Sequence, residues 1–229
     1  MLTAIMSDFH SLNPMKVIER LKQQGVERFA FLGDYDNPEI LEQLLELEAD
    51  KLFVPGNHDA AFVRGEEIYS PELTMGWQEY TNLWKQHPRA RDFVLKQSES
   101  GLKLEKRFGG RKIVYVHGLL TDCDAEGHPN LWGRITNSLS SLENLKRMSQ
   151  GNYWLMIRGH DHYPSVSSLH KTRCKSGKGL KEHWQSEIRL DTERRYIISL
   201  GSFKKGHYSI LNSRNLTLKM ISHWGERTD

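Results

Sequence analysis

The chain has 229 residues with a hydrophobic fraction of 38% and a charged fraction of 27%, a composition that suits a soluble globular protein with one large domain over residues 1–229. No apolar run approaches the about eighteen residues of a membrane span, and two cysteines, Cys123 and Cys174, are too few for a disulfide framework and are not spaced as a zinc knuckle. The formal net charge of +3 is too small to argue for a nucleic-acid partner by itself.

The amino terminus enters an apolar run, Leu2 to Met6, that reads as a buried strand and has no secretory leader pattern, so a cytoplasmic location is the default expectation. Asn13-Pro14 then supplies a helix start, and Met15, Val17, Ile18 and Leu21 recur at helical spacing until Gly25. A strand over Phe29 to Leu32 comes next. Asn37-Pro38 repeats the start signal before Ile40, Leu41, Leu44, Leu45 and Leu47, and Lys51 to Val54 reads as a third strand. This β-α-β-α-β alternation predicts an α/β layered fold with parallel strands in its first half.

Residues 60–100 interrupt the alternation and are the candidate for a helical cap insertion. Within them Ser70-Pro71-Glu72 predicts a helix bearing Leu73, Trp77, Tyr80, Leu83 and Trp84, stopped by His87-Pro88. Packing against the domain is the simpler expectation for its aromatics. Leu102 to Phe108, Gly109-Gly110 and Ile113 to Val116 predict a hairpin. A helix near Leu139 to Met148 and a strand over Trp154 to Ile157 come next, and beyond Pro164 strands are predicted at Tyr196 to Leu200, Tyr208 to Leu211 and Leu216 to Ile221. Residues 170–195 hold eight basic and four acidic residues, a local basic extension that reads most simply as a solvated hairpin.

Five polar clusters close five of the apolar runs: Asp8-Phe9-His10, Gly33-Asp34, Gly56-Asn57-His58-Asp59, His117-Gly118 and Gly159-His160-Asp161-His162. Each therefore falls at a strand's carboxyl end, the edge where open α/β sheets bind ligands. Carboxylates with neutral imidazoles suit Mn, Fe, Ni or Zn better than Ca or Mg. If the backbone is extended there, Asp8 with His10 and His160 with His162 point to one side, and Asp161 points away. Asp122, Asp124 and His128 come soon after His117 but are explained by a polar loop, and His87, His170, His183, His207 and His223 receive no role.

The order and spacing of these clusters resemble the calcineurin-like metallophosphoesterases, with their successive Asp-x-His, Gly-Asp, Gly-Asn-His-Asp/Glu, His-Gly and Gly-His-x-His motifs; the likeness runs from residue 1 to about 211. It implies an α/β fold of four α-β-β-α layers with mixed sheets and a dinuclear metal site at the strand carboxyl ends. It also implies Asp8, His10 and His162 as ligands of one ion, Asn57, His117 and His160 as ligands of the other, and Asp34 as the bridge. His58 takes the place of the histidine that contacts substrate and assists the leaving group, and Asp59 that of a residue orienting the His58 ring. The cofactors expected are two divalent ions, Mn first and Fe, Ni or Zn after it. They clamp a phosphoryl group and supply a water-derived nucleophile for in-line attack at neutral pH.

Protein phosphatases of this superfamily carry an arginine shortly after Gly-Asp-x and another just before Gly-Asn-His-Glu. Here those stretches read Gly33-Asp34-Tyr35-Asp36-Asn37-Pro38 and Val54-Pro55-Gly56-Asn57-His58-Asp59, and both arginines are missing. A monoester with nearly two negative charges profits from bidentate arginines, so a phosphodiester is the better expectation. The Gly-His-x-His-x-Pro run ending at Pro164 is also similar to that of the small prokaryotic-type phosphodiesterases. Partners expected are a phosphate-ester substrate, with nucleotides and nucleic acids among the candidates, and no membrane. The alternatives are a phosphomonoesterase or protein phosphatase, and a non-catalytic scaffold resembling the small retromer subunit, which lacks the histidine that His58 supplies here.

Overall fold

Side chains alternate in direction along a strand, so a strand covered on both faces feeds two cores at once. The computed structural model, which describes residues 1–121, 129–173, 180–183 and 186–222, shows this in both of its sheets. The chain runs through β1 (Leu2–Met6), α1 (Met15–Gln23), β2 (Arg28–Phe31), α2 (Pro38–Glu46), β3 (Asp50–Phe53), α3 (Asn57–Arg64), α4 (Trp77–Gln86) and α5 (Pro88–Glu99). It continues through β4 (Lys103–Phe108), β5 (Arg111–Val116), α6 (Ser138–Gln150), β6 (Tyr153–Arg158), β7 (Pro164–His170), β8 (Lys181–His183), β9 (Glu187–Arg189), β10 (Arg194–Leu200), β11 (His207–Asn212) and β12 (Thr217–Ser222).

One six-stranded sheet has the order β3-β2-β1-β11-β12-β9 and the other β4-β5-β6-β10-β7-β8. β1, β2 and β3 are parallel, as are β5, β6 and β10, and the remaining pairs are antiparallel, so both sheets are mixed. Ile5, Ala30 and Leu32 meet Tyr115, Leu155, Ile157 and Ile198 in the core between the sheets. The neighbouring positions Ala4, Met6, Phe29 and Phe31 face Ile18, Leu41, Phe62, Trp84 and Val94 of the helices outside the first sheet. Val114, Met156 and Ile197 face Leu145 and Met148 of α6 outside the second. These three cores define the expected four layers.

The local signals act as read at α1 and α2. Asn13 Oδ1 accepts the Met15 N–H at 2.9 Å, and Asn37 Oδ1 accepts that of Glu39 at 2.9 Å with Pro38 in the first turn. The segment after α3 differs from expectation. Its first helix begins at Trp77 rather than Ser70, where the Glu79 carboxylate accepts the Gly76 N–H at 2.9 Å. His87-Pro88 ends that helix and also opens α5, because a first-turn proline loses no hydrogen bond. Tyr80 and Trp84 are buried, in line with the packing expectation. Asn57 opens α3, and strands β7, β8 and β9 were not individually predicted. Lys175 and Lys178 of the basic stretch, with Asp122, Asp124 and His128, lie outside the described residues, whereas Arg194 bonds Ser168 and Arg195 bonds the Tyr153 carbonyl. Among the described residues no helix is long and apolar enough to cross a membrane.

Trp84 is fully buried, stacks with Phe62 at 6.3 Å between ring centroids, and donates its Nε1–H to the Asp36 carbonyl at 2.9 Å. Trp84→Ala is expected to lower stability by about 3–5 kcal/mol. Trp84→Phe, which keeps most of the ring and loses the donor, should cost less. Equilibrium denaturation checks both, and a loss below about 1 kcal/mol in the alanine variant would show that α4 is not part of the cooperative core.

Candidate metal centre

The five polar clusters stand at the carboxyl ends of β1, β2, β3, β5 and β6. Their backbone is not extended. Asp8, His10, Ser11, Asp34, Asp36, His160 and His162 all have φ between 45° and 68°, the left-handed region that non-glycine residues rarely adopt. The expected convergence of Asp8 with His10 and of His160 with His162 therefore comes from tight turning of the chain after each strand, not from strand alternation. Gly33 and Gly56 permit that turning: the two backbones approach so closely that a Cβ on Gly33 would collide with Gly56, and one on Gly56 with the Asp34 carboxylate.

One candidate ligand atom from each of Asp8, His10, Asp34 and His162 lies within 4.8 Å of the others, and the same holds for Asp34, His117 and His160. Asp34 is common to both groups. Asn57 joins the second, with Oδ1 at 2.9 Å from His117 Nε2. Asp8 and Asp34 are held ionised although burial alone would raise both: contact with His162 and the charge of His117 bring Asp8 down to about 2, and His117 and His58 hold Asp34 well below the usual carboxylate range.

Hydrogen bonding tests whether these atoms suit a cation. His117 Nδ1–H donates to the Leu32 carbonyl at 2.6 Å, which puts the lone pair of a neutral ring on Nε2. Yet Nε2 faces Asn57 Oδ1 at 2.9 Å and Asp34 Oδ2 at 3.3 Å. Three acceptors facing one another need a proton or a cation among them. Burial disfavours the proton, but the Asp34 and Asp8 carboxylates outweigh burial and raise His117 to about 9. His10 repeats the pattern: Nδ1–H donates to Asp36 Oδ2 at 3.1 Å, and Nε2 faces His162 Nε2 at 3.1 Å, itself 3.3 Å from Asp8 Oδ1. His160 donates from Nε2 to the Trp132 carbonyl at 3.1 Å, and its buried Nδ1 has no hydrogen-bond partner. Burial and the charge of His117 push His160 down to about 3, so the ring is neutral and offers that orphan lone pair to a metal. The donor set fits two divalent ions.

The ring-orienting role expected of Asp59 requires a correction. Asp59 does not orient the His58 ring: its carboxylate accepts the backbone N–H groups of Asp34 at 2.8 Å, Tyr35 at 3.0 Å and Gly56 at 2.8 Å. It caps α3 and ties that helix to the Gly33-Asp34 turn, while burial and the Asp34 charge raise it to about 7. The carboxylate on His58 is Asp36, which accepts from His58 Nδ1 at 2.8 Å through one oxygen and from His10 Nδ1 through the other. Asp36 is fully buried and fixes both rings. Sequence reasoning passed over it, although a second acid two residues beyond Asp34 in Gly33-Asp34-Tyr35-Asp36 was a usable signal.

Asp161 has a structural role. It accepts from Arg158 Nη1 and, at 3.0 Å, from Ser199 Oγ. Fully buried Arg158 also donates to the carbonyls of Gly118 at 2.8 Å and Gly133 at 2.8 Å, joining three loops around the centre. Glu72 lies 3.5 Å from His162 Nδ1 and 3.2 Å from Lys204 Nζ. Arg64 ends α3 and lies 3.9 Å from Glu66.

The model of the calcineurin-like phosphoesterase superfamily domain matches residues 1–177. Among solved structures, a metallophosphoesterase from Sphaerobacter thermophilus is 21% identical with a TM-score of 0.68, over 99% of this chain and 90% of its own. A hypothetical protein from Pyrococcus horikoshii OT3 is 14% identical with a TM-score of 0.64, over 99% and 89% of the two chains. An archaeal phosphodiesterase is 16% identical with a TM-score of 0.50, over 97% and 99%. These three are likenesses of fold. No curated protein matches the sequence significantly.

The two carboxylates should separate on mutation. Asp36→Asn is expected to lower metal affinity or turnover about 10–100-fold, since it removes the charge that fixes His10 and His58. Asp59→Asn should act on stability, by about 1–3 kcal/mol, because it leaves buried N–H groups short of acceptors. Turnover and denaturation midpoints measured on both variants check this, and the reverse pattern would return the His58-orienting role to Asp59.

Proposed function

The chain belongs to the calcineurin-like phosphoesterase superfamily, a metal-dependent phosphoesterase by fold and donor set, and we propose that it hydrolyses a phosphodiester. Asp8, His10 and His162 would hold one divalent ion, Asn57, His117 and His160 the other, with Asp34 between them. The observation that carries this reading is that Asp34 belongs to both donor groups. When bound, such a pair neutralises phosphoryl charge and lowers the pKa of a coordinated water towards about 7, which supplies a nucleophile without a serine or cysteine.

His58 serves the leaving group in this reading. Its Nδ1–H is anchored on Asp36, so Nε2 is the ring atom left to deliver a proton. Burial opposes the imidazolium, but the charge of Asp34 and the Asp36 contact outweigh it and raise the pKa to about 10. Asp36 also offsets repulsion between that imidazolium and bound cations. Glu72 beside His162 supports the reading of residues 60–100 as a cap that borders the centre.

The diester preference rests on the lack of a phosphate grip here. Pro55 and the Asp36-Asn37-Pro38 stretch stand where phosphatases of the superfamily have arginines, and Arg158 is turned inward onto Asp161, Gly118 and Gly133. A singly charged diester asks less of the protein than a monoester of nearly two charges. One relative in fold is itself described as a phosphodiesterase.

Protein purified without chelator should carry Mn, Fe, Ni or Zn by elemental analysis, with Mn proposed as the activating ion, and Asp34→Asn should lower both metal content and turnover. Unchanged content and activity in that variant would remove the shared-carboxylate assignment. At saturating Mn an aryl phosphodiester should show a higher kcat/KM than the matching monoester. A clear preference for the monoester would make the chain a phosphatase instead.

A further inference from the structure

Six large apolar side chains are exposed among the described residues, and two of them, Trp132 at 52% and Tyr163 at 69%, adjoin the histidines of the metal centre. Exposed aromatics normally lie on mobile surface. Trp132 does not. Its carbonyl accepts from His160 Nε2 at 3.1 Å, and its own N–H donates to Asn130 Oδ1 at 3.0 Å. The adjacent Gly133 carbonyl accepts from buried Arg158 at 2.8 Å, and Leu131 on the other side is buried. A tryptophan left open to solvent on a backbone fixed from both sides leaves only its side-chain torsions to be ordered when a ligand covers it.

Tyr163 is the residue directly after His162, and the Lys205 ammonium lies 4.5 Å from its ring centroid. The neighbouring Lys204 bonds Glu72, which contacts His162, so this pair too borders the centre. Exposed Arg134 follows Gly133 on the same loop as Trp132. Aromatic faces interleaved with cations are the pattern that binds nucleic-acid strands by stacking and charge, with weak selection among bases.

We propose that Trp132 and Tyr163 are the binding faces for planar rings attached to the scissile phosphodiester, with Lys205 and Arg134 meeting its negative charge, which makes the substrate a nucleobase-bearing diester. The inference rests on the phosphodiesterase reading for its chemistry and on the rim alone for its ring preference. A stacked base contributes enough to raise kcat/KM between about fivefold and a hundredfold over an analogue of the same charge without it.

The test compares a deoxyadenosine dinucleotide with its abasic tetrahydrofuran counterpart, which has the same phosphate and lacks the rings. Wild-type protein with Mn should prefer the dinucleotide by that factor, Trp132→Ala should bring the ratio towards one, and Trp132→Phe should retain most of it. Tyr163→Ala should lower the ratio as well. If Trp132→Ala reduces both rates and leaves the ratio intact, Trp132 only supports the His160 loop and the proposal is overturned. Titration calorimetry with the slowly cleaved phosphorothioate forms of both ligands gives the same ratio in Kd without turnover. A base-dependent Kd that Trp132→Ala abolishes would sustain ring recognition even in a protein that cleaved no phosphoester, where the hydrolytic reading alone would have failed. Equal or undetectable binding of the two ligands would overturn the proposal whatever the hydrolytic activity.

Discussion

Four carboxylates, those of Asp8, Asp34, Asp36 and Asp59, are buried at one end of the two sheets, and their charge governs the structure around them. Removing one carboxylate from water costs several kcal/mol unless donors or counter-charges replace its hydration. Each has a different solution. Asp59 takes three backbone N–H groups, and Asp36 takes two imidazole N–H groups. Asp34 receives the His58 backbone N–H at 3.0 Å, and Asp8 the His160 backbone N–H at 3.1 Å. Those bonds leave lone pairs of Asp8 and Asp34 directed at histidine nitrogens that are acceptors in their neutral form. Cations would complete the arrangement, and the protein supplies the remaining order.

Holding ligands in place in this way strains the backbone. A residue in the left-handed region costs on the order of 1–3 kcal/mol, and Asp8, His10, Asp34, Asp36, His160 and His162 all lie there. The strands on which these turns are mounted are buried on both faces, so their cooperative packing holds conformations that short loops would not keep. Close approach of Gly33 to Gly56 and of Gly159 to Ser7 belongs to the same device. The turns hold their conformation because they begin where buried strand ends converge.

That division explains what the sequence disclosed. The strands leading to the clusters are short apolar runs, and the turns that end them are written in Gly, Asp, Asn and His, so both were legible from local pattern. Strand β7, with the sequence Pro164-Ser165-Val166-Ser167-Ser168-Leu169-His170, has too few apolar residues to declare itself and forms because β10 pairs along its whole length. Pro88 reads equally as the stop of one helix and the start of another, and here it is both. Asp36 was passed over for a different reason: a second acid beyond Asp34 was visible, but its partners are 22 and 26 residues away, and only the meeting of the β1, β2 and β3 ends brings them together. The family resemblance suggested Asp59 for the same task, but a side chain at the third position of a helix turns back to the helix start, and α3 uses it there.

Arg158 then accounts for how selectivity must arise. An arginine at the carboxyl end of β6 is well placed to reach a phosphate, yet this one is fully buried and donates to Asp161, Ser199, Gly118 and Gly133. Its guanidinium fixes the loops that carry His117, His160 and Trp132 instead of meeting a ligand. A centre organised in this way can position a phosphoryl group strongly while saying little about what is esterified to it. Discrimination among esters would then fall to the groups standing beyond the ligands: Glu72, Lys204, Tyr163 and Lys205 beside His162, and Trp132 and Arg134 beside His160. Because the loop bearing Trp132 is pinned by the same guanidinium that supports the His160 turn, the geometry of the rim and the geometry of the centre are set by one buried charge.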